Sequence, residues 1–382
     1  MTPTFQHLNE TSTASAKTSR LESTLQTRII TSLSELSEKL NLPGLTTPHH
    51  YETTRAFPIQ IPESTLKRIE PCRYDDPILL QFAPAPLELV SAPGYSKDPL
   101  CEWASDRVCE TPHTNSKAPS QCILQKYNGR ALVITTNACA AKCRFCFRRH
   151  FPQNRALFPI PLKYREHNPT GLQTASANSY FDAVFAPIRA DETISELILS
   201  GGDPLTLTDN ELRALFHYIR TVKSVKRVRI HSRAPILTPG RISDEFPSAE
   251  EINRDGDGTP LVLHMSLHVN SPNEIDSQAT TAILSLRRKG YVLTSQTVLL
   301  KGVNDRLETL QALYEKLINL GVVPYYLFQL DHVQGAAHWE VSDELGRKLI
   351  RQLSVYLPGY AVPRFAREFP NRPSKTNLMY LQ

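Results

Sequence analysis

At 382 residues the chain can bury a large core, which excludes a small scaffold stapled by disulfides or a structural metal. Its 43 basic and 38 acidic residues give a formal net charge of +5 without a long run of one sign, so no nucleic-acid-binding arm is indicated. No apolar run approaches the roughly 18–20 residues of a membrane span, and the polar N-terminus "MTPTFQHLNETSTASAKTSRLEST" lacks a secretory apolar core. A cytoplasmic protein with reduced cysteines and no membrane partner is expected.

Residues 1–23 offer almost no periodic apolar positions and are expected to be disordered. In "TLQTRIITSLSELSEKLNLP", Ile29, Leu33, Leu36 and Leu40 recur at helical spacing before Pro43 ends the run. Residues 24–125 read as an N-terminal wrapping region, because prolines punctuate the text from Pro43 onward and periodicity is poor. With 29 prolines against 15 glycines, long irregular connections are expected between regular elements.

A different pattern fills residues 126–360. Strand-like runs at 131–137, 196–200, 226–232, 261–268, 291–300 and 323–331 alternate with helices, the clearest at 209–222. That helix has a Leu212, Leu215, Phe216 and Ile219 stripe behind a Thr208-x-x-Glu211 capping box. Further helices are predicted at 276–289, 305–320 and 341–357. This alternation predicts an α/β fold with a parallel sheet. Unusual polar residues fall near the strand C-terminal ends, at Ser200, Ser232, His268, Gln296 and Asp331, which favours a partial (βα)6 barrel of the TIM type. Residues 361–382 form a short C-terminal segment.

Seven cysteines divide into the scattered Cys72, Cys101, Cys109 and Cys122, read as incidental thiols, and the compact CxxxCxxC of Cys139, Cys143 and Cys146. A closed zinc site takes four ligands, and no second pair lies nearby. An electron-carrying [4Fe-4S] cluster takes one cysteine per iron. Three thiolates leave one iron with an open position, where something reactive can bind.

Here the chain resembles a family. CxxxCxxC directly after the first strand of a strand–helix series, with Phe145 before Cys146, resembles the radical S-adenosylmethionine enzymes, which implies that the open iron binds S-adenosylmethionine. The segment "LSGGDPL", carrying Ser200, Gly201, Gly202 and Asp203, resembles their glycine-rich stretch near the S-adenosylmethionine amino group. Together, "CRFCFRRHF", "LSGGDPL", "RIHSRAPI", "HVNSPNEI", "VLLKGVND", "VPYYLFQLDHVQGAAH" and "PSKTNL" resemble the lysine 2,3-aminomutase group over roughly residues 75–380.

The resemblance implies three cofactors: a [4Fe-4S] cluster on Cys139, Cys143 and Cys146, S-adenosylmethionine, and pyridoxal 5'-phosphate held by Lys375. It implies Arg130 at the pyridoxal phosphate group, with Ser232, Arg233 and Gln296 as further cofactor contacts. Arg148 is implied at the substrate carboxylate, and Asp331 and Glu368 at its distant ammonium group. The implied isomerase reaction moves the amino group of (S)-α-lysine from the α- to the β-carbon after radical abstraction of a hydrogen, giving (R)-β-lysine. The implied partners are an electron donor such as flavodoxin or ferredoxin, and elongation factor P with its lysyl ligase. The last follows from "PYYLFQLDHVQGAAH", "PSKT" and an end only seven residues past Lys375, which resemble the branch that modifies that factor. An aminomutase acting on free lysine, arginine or glutamate is the alternative. The chain departs from the group at Ser271, where a histidine is usual, at Ser295-Gln296-Thr297, and in a proline-rich insertion at roughly 152–176.

Overall fold

The computed structural model describes residues 18–103, 122–152, 155–159, 175–254, 260–370 and 372–380. A small antiparallel pair, β1 (Ile29–Ile30) with β2 (Ile61–Pro62), lies in the N-terminal region. The main sheet holds nine strands: β3 (Ile123–Tyr127), β4 (Arg130–Thr136), β5 (Glu196–Gly201), β6 (Arg227–Ser232), β7 (Val262–His268), β8 (Val292–Val298), β9 (Val323–Phe328), β10 (Arg364–Arg367) and β11 (Thr376–Asn377). They are hydrogen-bonded in chain order. β4 through β10 are parallel, and β3 and β11 are antiparallel edges.

All six expected strands are present, so the α/β class with a mostly parallel sheet stands. The strand count is corrected upward: β10 adds a seventh parallel strand, short enough to escape notice as a periodic run. Helices occupy every crossover, at Ala175–Ala190, Asp209–Arg220, Ala249–Arg254, Ser277–Arg288, Leu307–Asn319 and Asp343–Tyr356. The Thr208 box forms as predicted, Glu211 N–H donating to Thr208 Oγ1 (3.3 Å) and Thr208 N–H to Glu211 Oε2 (2.9 Å). The Ala175–Ala190 helix was not expected, because Pro187 masks a buried Phe181, Val184, Phe185 and Ile188 stripe.

The N-terminal region differs from expectation in two places. Residues 18–25 are helical although the stretch to residue 23 was expected to be disordered; Arg20 pairs with Glu211 at 2.5 Å and docks that turn on the sheet-covering helix. Residues 1–17 lie outside the described residues. The predicted helix in 24–43 is confined to Leu33–Leu40, capped by Ser32 and closed by Asn41 at φ 52°. Ile29 is buried as the spacing required, but from β1, where its β-branched side chain is better accommodated. Cys109 and most of the 152–176 insertion fall outside the described residues.

Candidate active site

The loop after β4 carries the three cysteines. Residues far away in sequence grip it. Gln60 Nε2 donates to the Cys139 carbonyl, Lys142 N–H to the Gln60 carbonyl (2.9 Å) and Arg144 N–H to the Gln81 carbonyl (2.9 Å). Beneath the loop, Glu88 accepts from Arg144 Nη2 (2.8 Å) and Arg149 Nη2 (2.8 Å), and all three side chains are almost fully buried. The N-terminal region thus fixes the loop that presents the thiols.

Cys139, Cys143 and Cys146 line one cavity of about 210 Å³ with Gly201, Gly202, Asp203, Ser232, Arg233 and His268. Burial and the neighbouring thiols push the Cys139 thiol well up, and burial pushes Cys146 to about 11. Such thiols stay protonated unless a bound cation displaces the proton. Among the described residues no three His, Cys, Asp or Glu side chains are close enough to hold one metal ion. The cluster expectation does not require that, since each iron of a cubane takes its own thiolate. The donor set suits such a cluster: three soft sulfurs line one cavity together with the Gly201-Gly202 backbone.

The glycines have a further reason for being glycines. At Gly201 (φ 113°) a Cβ would sit 2.5 Å from the Thr136 carbonyl oxygen, and at Gly202 it would collide with the Ala138 carbonyl. Gly202 N–H donates to Thr136 O (2.6 Å) and Asp203 N–H to Ala138 O (2.8 Å), so the glycine turn is packed against the cysteine loop itself. Asp203 receives Ser232 Oγ (2.7 Å) and the N–H groups of Leu205, Arg233 and Ala234, tying β5 to β6. His268 Nε2 is buried without a hydrogen-bond partner, and burial holds the ring well below its usual pKa, hence neutral.

A larger cavity, about 760 Å³, adjoins the first. Both are lined by Phe147, Arg148, Ser200, His231, Gln296, Phe328 and Asp331. Lys375 Nζ enters it from the segment before β11, pairing with Glu368 Oε2 (2.9 Å) 5.0 Å from the centre of the Tyr127 ring. Lys126 Nζ takes the other Glu368 oxygen (3.0 Å). Burial alone would raise the Glu368 pKa, but Lys375 and Lys126 hold it down to about 2. Asp331 moves the opposite way: burial, then Glu368 and Glu102, push it up to about 7 against Lys375 and Arg367. Gln296 Nε2 lies 3.4 Å from His231 Nε2, and burial and Arg229 keep His231 neutral. Arg130, Arg229 and Arg364, near strand starts, line the same cavity.

Arg148 was expected to await a carboxylate, and it already holds one: Glu102 accepts from its Nε (2.6 Å) and Nη2 (2.7 Å), while Nη1 donates to Ser200 Oγ (2.9 Å). Glu102, Lys126, Glu274 and Gln81 were missed by sequence reasoning. A signal existed only for Glu274, whose Ser271-x-x-Glu274 spacing is that of a capping box; that box forms, and it accounts locally for Ser271.

Fold and site together define a mixed α/β protein in which an ionisable cavity shares a wall with a thiol-lined one. The chain is 39% identical over 324 residues to the L-lysine 2,3-aminomutase of Escherichia coli, covering 85% of this chain and 84% of that protein. It is 36% identical over 346 residues to that of Haemophilus influenzae, covering 89% and 90%, and 28% identical over 350 residues to a glutamate 2,3-aminomutase of Clostridioides difficile, covering 92% and 74%. No protein-family profile matches the chain. The chain belongs to the L-lysine 2,3-aminomutase family, and with it to the isomerases. Among the described residues no helix is long and apolar enough to cross a membrane.

Proposed function

We propose that the protein converts (S)-α-lysine to (R)-β-lysine and supplies it for attachment to elongation factor P, using a [4Fe-4S] cluster, S-adenosylmethionine and pyridoxal 5'-phosphate. The observation that carries this reading is the common wall of the two cavities: Arg148, Ser200, His231, Gln296 and Asp331 face both the three cysteines and Lys375. Cys139, Cys143 and Cys146 would hold the cluster, with Ser200, Gly201, Gly202, Asp203, Ser232, Arg233 and Gln296 around S-adenosylmethionine. Lys375 would hold pyridoxal phosphate, with Arg130 at its phosphate. Bound there, these groups supply an electron, a hydrogen-abstracting radical and a carrier for the migrating nitrogen.

The chain's own residues supply binding and charge. A lysine carboxylate at Arg148 shares or displaces Glu102, the exchange of one carboxylate for another on a planar fork. The distant ammonium meets Asp331 and Glu368. Asp331, close to half ionised near pH 7, loses its proton as the cation arrives, and Glu368 stays ionised throughout.

The sheet itself is proposed to curl as a partial barrel. In support, same-face residues of β4 (Arg130, Leu132), β5 (Ile198, Ser200), β6 (Arg229, His231), β8 (Gln296), β9 (Tyr326, Phe328) and β10 (Arg364) all line one cavity. Borohydride trapping of protein loaded with pyridoxal phosphate, followed by peptide mapping, tests the cofactor assignment: label on Lys375 is expected, and label elsewhere defeats it. Deletion of the gene tests the physiological role, since elongation factor P of unchanged mass after deletion leaves only the aminomutase on a free amino acid.

A further inference from the structure

Under the cysteine loop lies a buried polar network centred on Arg233, to which the reading above gives no role beyond lining the S-adenosylmethionine cavity. Arg233, the residue after β6, spreads its guanidinium across it. Nη1 donates to Cys143 Sγ at 2.9 Å, and Nη2 donates to Glu274 Oε2 at 2.8 Å and to Gln81 Oε1. The guanidinium lies over the Phe82 ring, 4.8 Å from its centre. Each anchor is fixed in turn. Glu274 Oε1 accepts the N–H groups of Asn270 and Ser271 (2.9 Å each) and Gln81 Nε2 (3.1 Å), and Gln81 Oε1 also accepts Asn270 Nδ2 (2.9 Å). Glu274, Gln81 and Asn270 are completely buried, so the cation has nowhere else to go.

Resting on the reading of Cys143 as a cluster ligand, we propose that Arg233 is the redox-tuning residue of the cluster, held against the Cys143 sulfur by Glu274 and by Gln81 of the N-terminal region. Of the three cysteine sulfurs, that of Cys143 is the one with a cationic side-chain donor among the described residues. Reduction adds one electron from an external donor and one negative charge to the cluster and its thiolates. A fixed N–H donor carrying positive charge favours the more negative state and raises the reduction potential. Arg233 is almost fully buried, with the Phe82 and Phe145 rings beside its fork, so little water is there to screen it. On this account the region around Gln81 is part of the electron-accepting site, although it supplies no ligand.

The test is a potentiometric titration of anaerobically reconstituted, full-length protein, followed by electron paramagnetic resonance of the reduced cluster. Iron content and circular dichroism are recorded for each variant. Arg233→Met should shift the one-electron equilibrium about tenfold toward the oxidised cluster, about 59 mV more negative. Arg233→Lys, which keeps the charge and loses the fork, should fall between that variant and wild type. Gln81→Met, which touches no thiol, should shift the equilibrium in the same direction by about threefold. An unchanged potential in Arg233→Met with full iron content overturns the proposal. Should Arg233→Met fail to fold or load, an unchanged potential in both loaded Arg233→Lys and Gln81→Met overturns it instead. Absence of any cluster in the wild-type protein would defeat the cluster reading itself, a result distinct from a cluster whose potential ignores Arg233.

Discussion

The two adjoining cavities are built by opposite means. Around the cysteines the walls include the Gly201-Gly202 turn and the Asp203 clamp, and the loop that carries the thiols rests on the buried Arg144–Glu88–Arg149 cluster. Around Lys375 the walls are charges whose partners are one another, Glu368 between Lys126 and Lys375, and Arg148 with Glu102. On the proposed reading the first arrangement is preformed for a cluster that stays bound. The ion pairs of the second are then stand-ins: a substrate carboxylate would take the place of Glu102 on Arg148, and its distant ammonium would share Glu368. Rigidity on one side and exchangeable charge on the other is what a site needs if one guest stays and another turns over.

That contrast can be broken by substitution. The largest effect is expected from Lys375→Ala, which should lower turnover by about 10⁴-fold or more while leaving the melting temperature near wild type, because the lysine anchors no core. Glu88→Ala should do the reverse in kind. It leaves Arg144 and Arg149 buried without their anion and should cost about 3–5 kcal/mol of stability, read by thermal or urea unfolding. Equal stability losses in the two variants would contradict the division between a scaffolding side and an exchanging side.

Smaller effects sharpen it. Asp331 must be ionised to receive an ammonium group, so kcat/KM should rise with pH through about 7 and then level; in Asp331→Asn it should fall by about 10²-fold and lose that limb. The linkage to stability has the matching sign. With its folded pKa raised to about 7 from 3.8, Asp331 retains its proton longer in the folded state, so its contribution is lost as pH rises across that window. Glu368, lowered from 4.5 to about 2, contributes stability above pH 4.5 that is lost as pH falls toward 2, and Glu368→Gln should flatten that acid limb of an unfolding titration.

Much of the fold was legible because strand and helix periodicity is local. The six central strands lie within a few residues of their predicted bounds, and the Thr208 box sits where predicted. The elements missed, β3, β10, β11, residues 18–25 and the Ala175–Ala190 helix, are short strands, a docked turn and a helix interrupted by Pro187, whose stability comes from partners distant in the chain. Of the residues lining the two cavities, the three cysteines and Lys375 stand out in the sequence as motifs. The pairs that set their environment were not: Glu102 lies 46 residues from Arg148, and Gln81 lies 152 residues from Arg233. Nothing in the text near "CRFCFRRHF" announces that Arg148 rests on a carboxylate, or that Arg144 is buried on Glu88. Only folding brings those residues to the loop.

The most direct test of the central claim, that thiol-lined and ionic cavities form one aminomutase site, is product analysis. The anaerobically reconstituted protein, with pyridoxal phosphate, S-adenosylmethionine and a strong reductant, is incubated with (S)-α-lysine, and the products are separated by chiral chromatography. The account predicts (R)-β-lysine that is absent when Lys375 or any one of Cys139, Cys143 and Cys146 is replaced by alanine. Unchanged α-lysine from a protein carrying its full cluster, or β-lysine still formed by the Lys375→Ala variant, would contradict it.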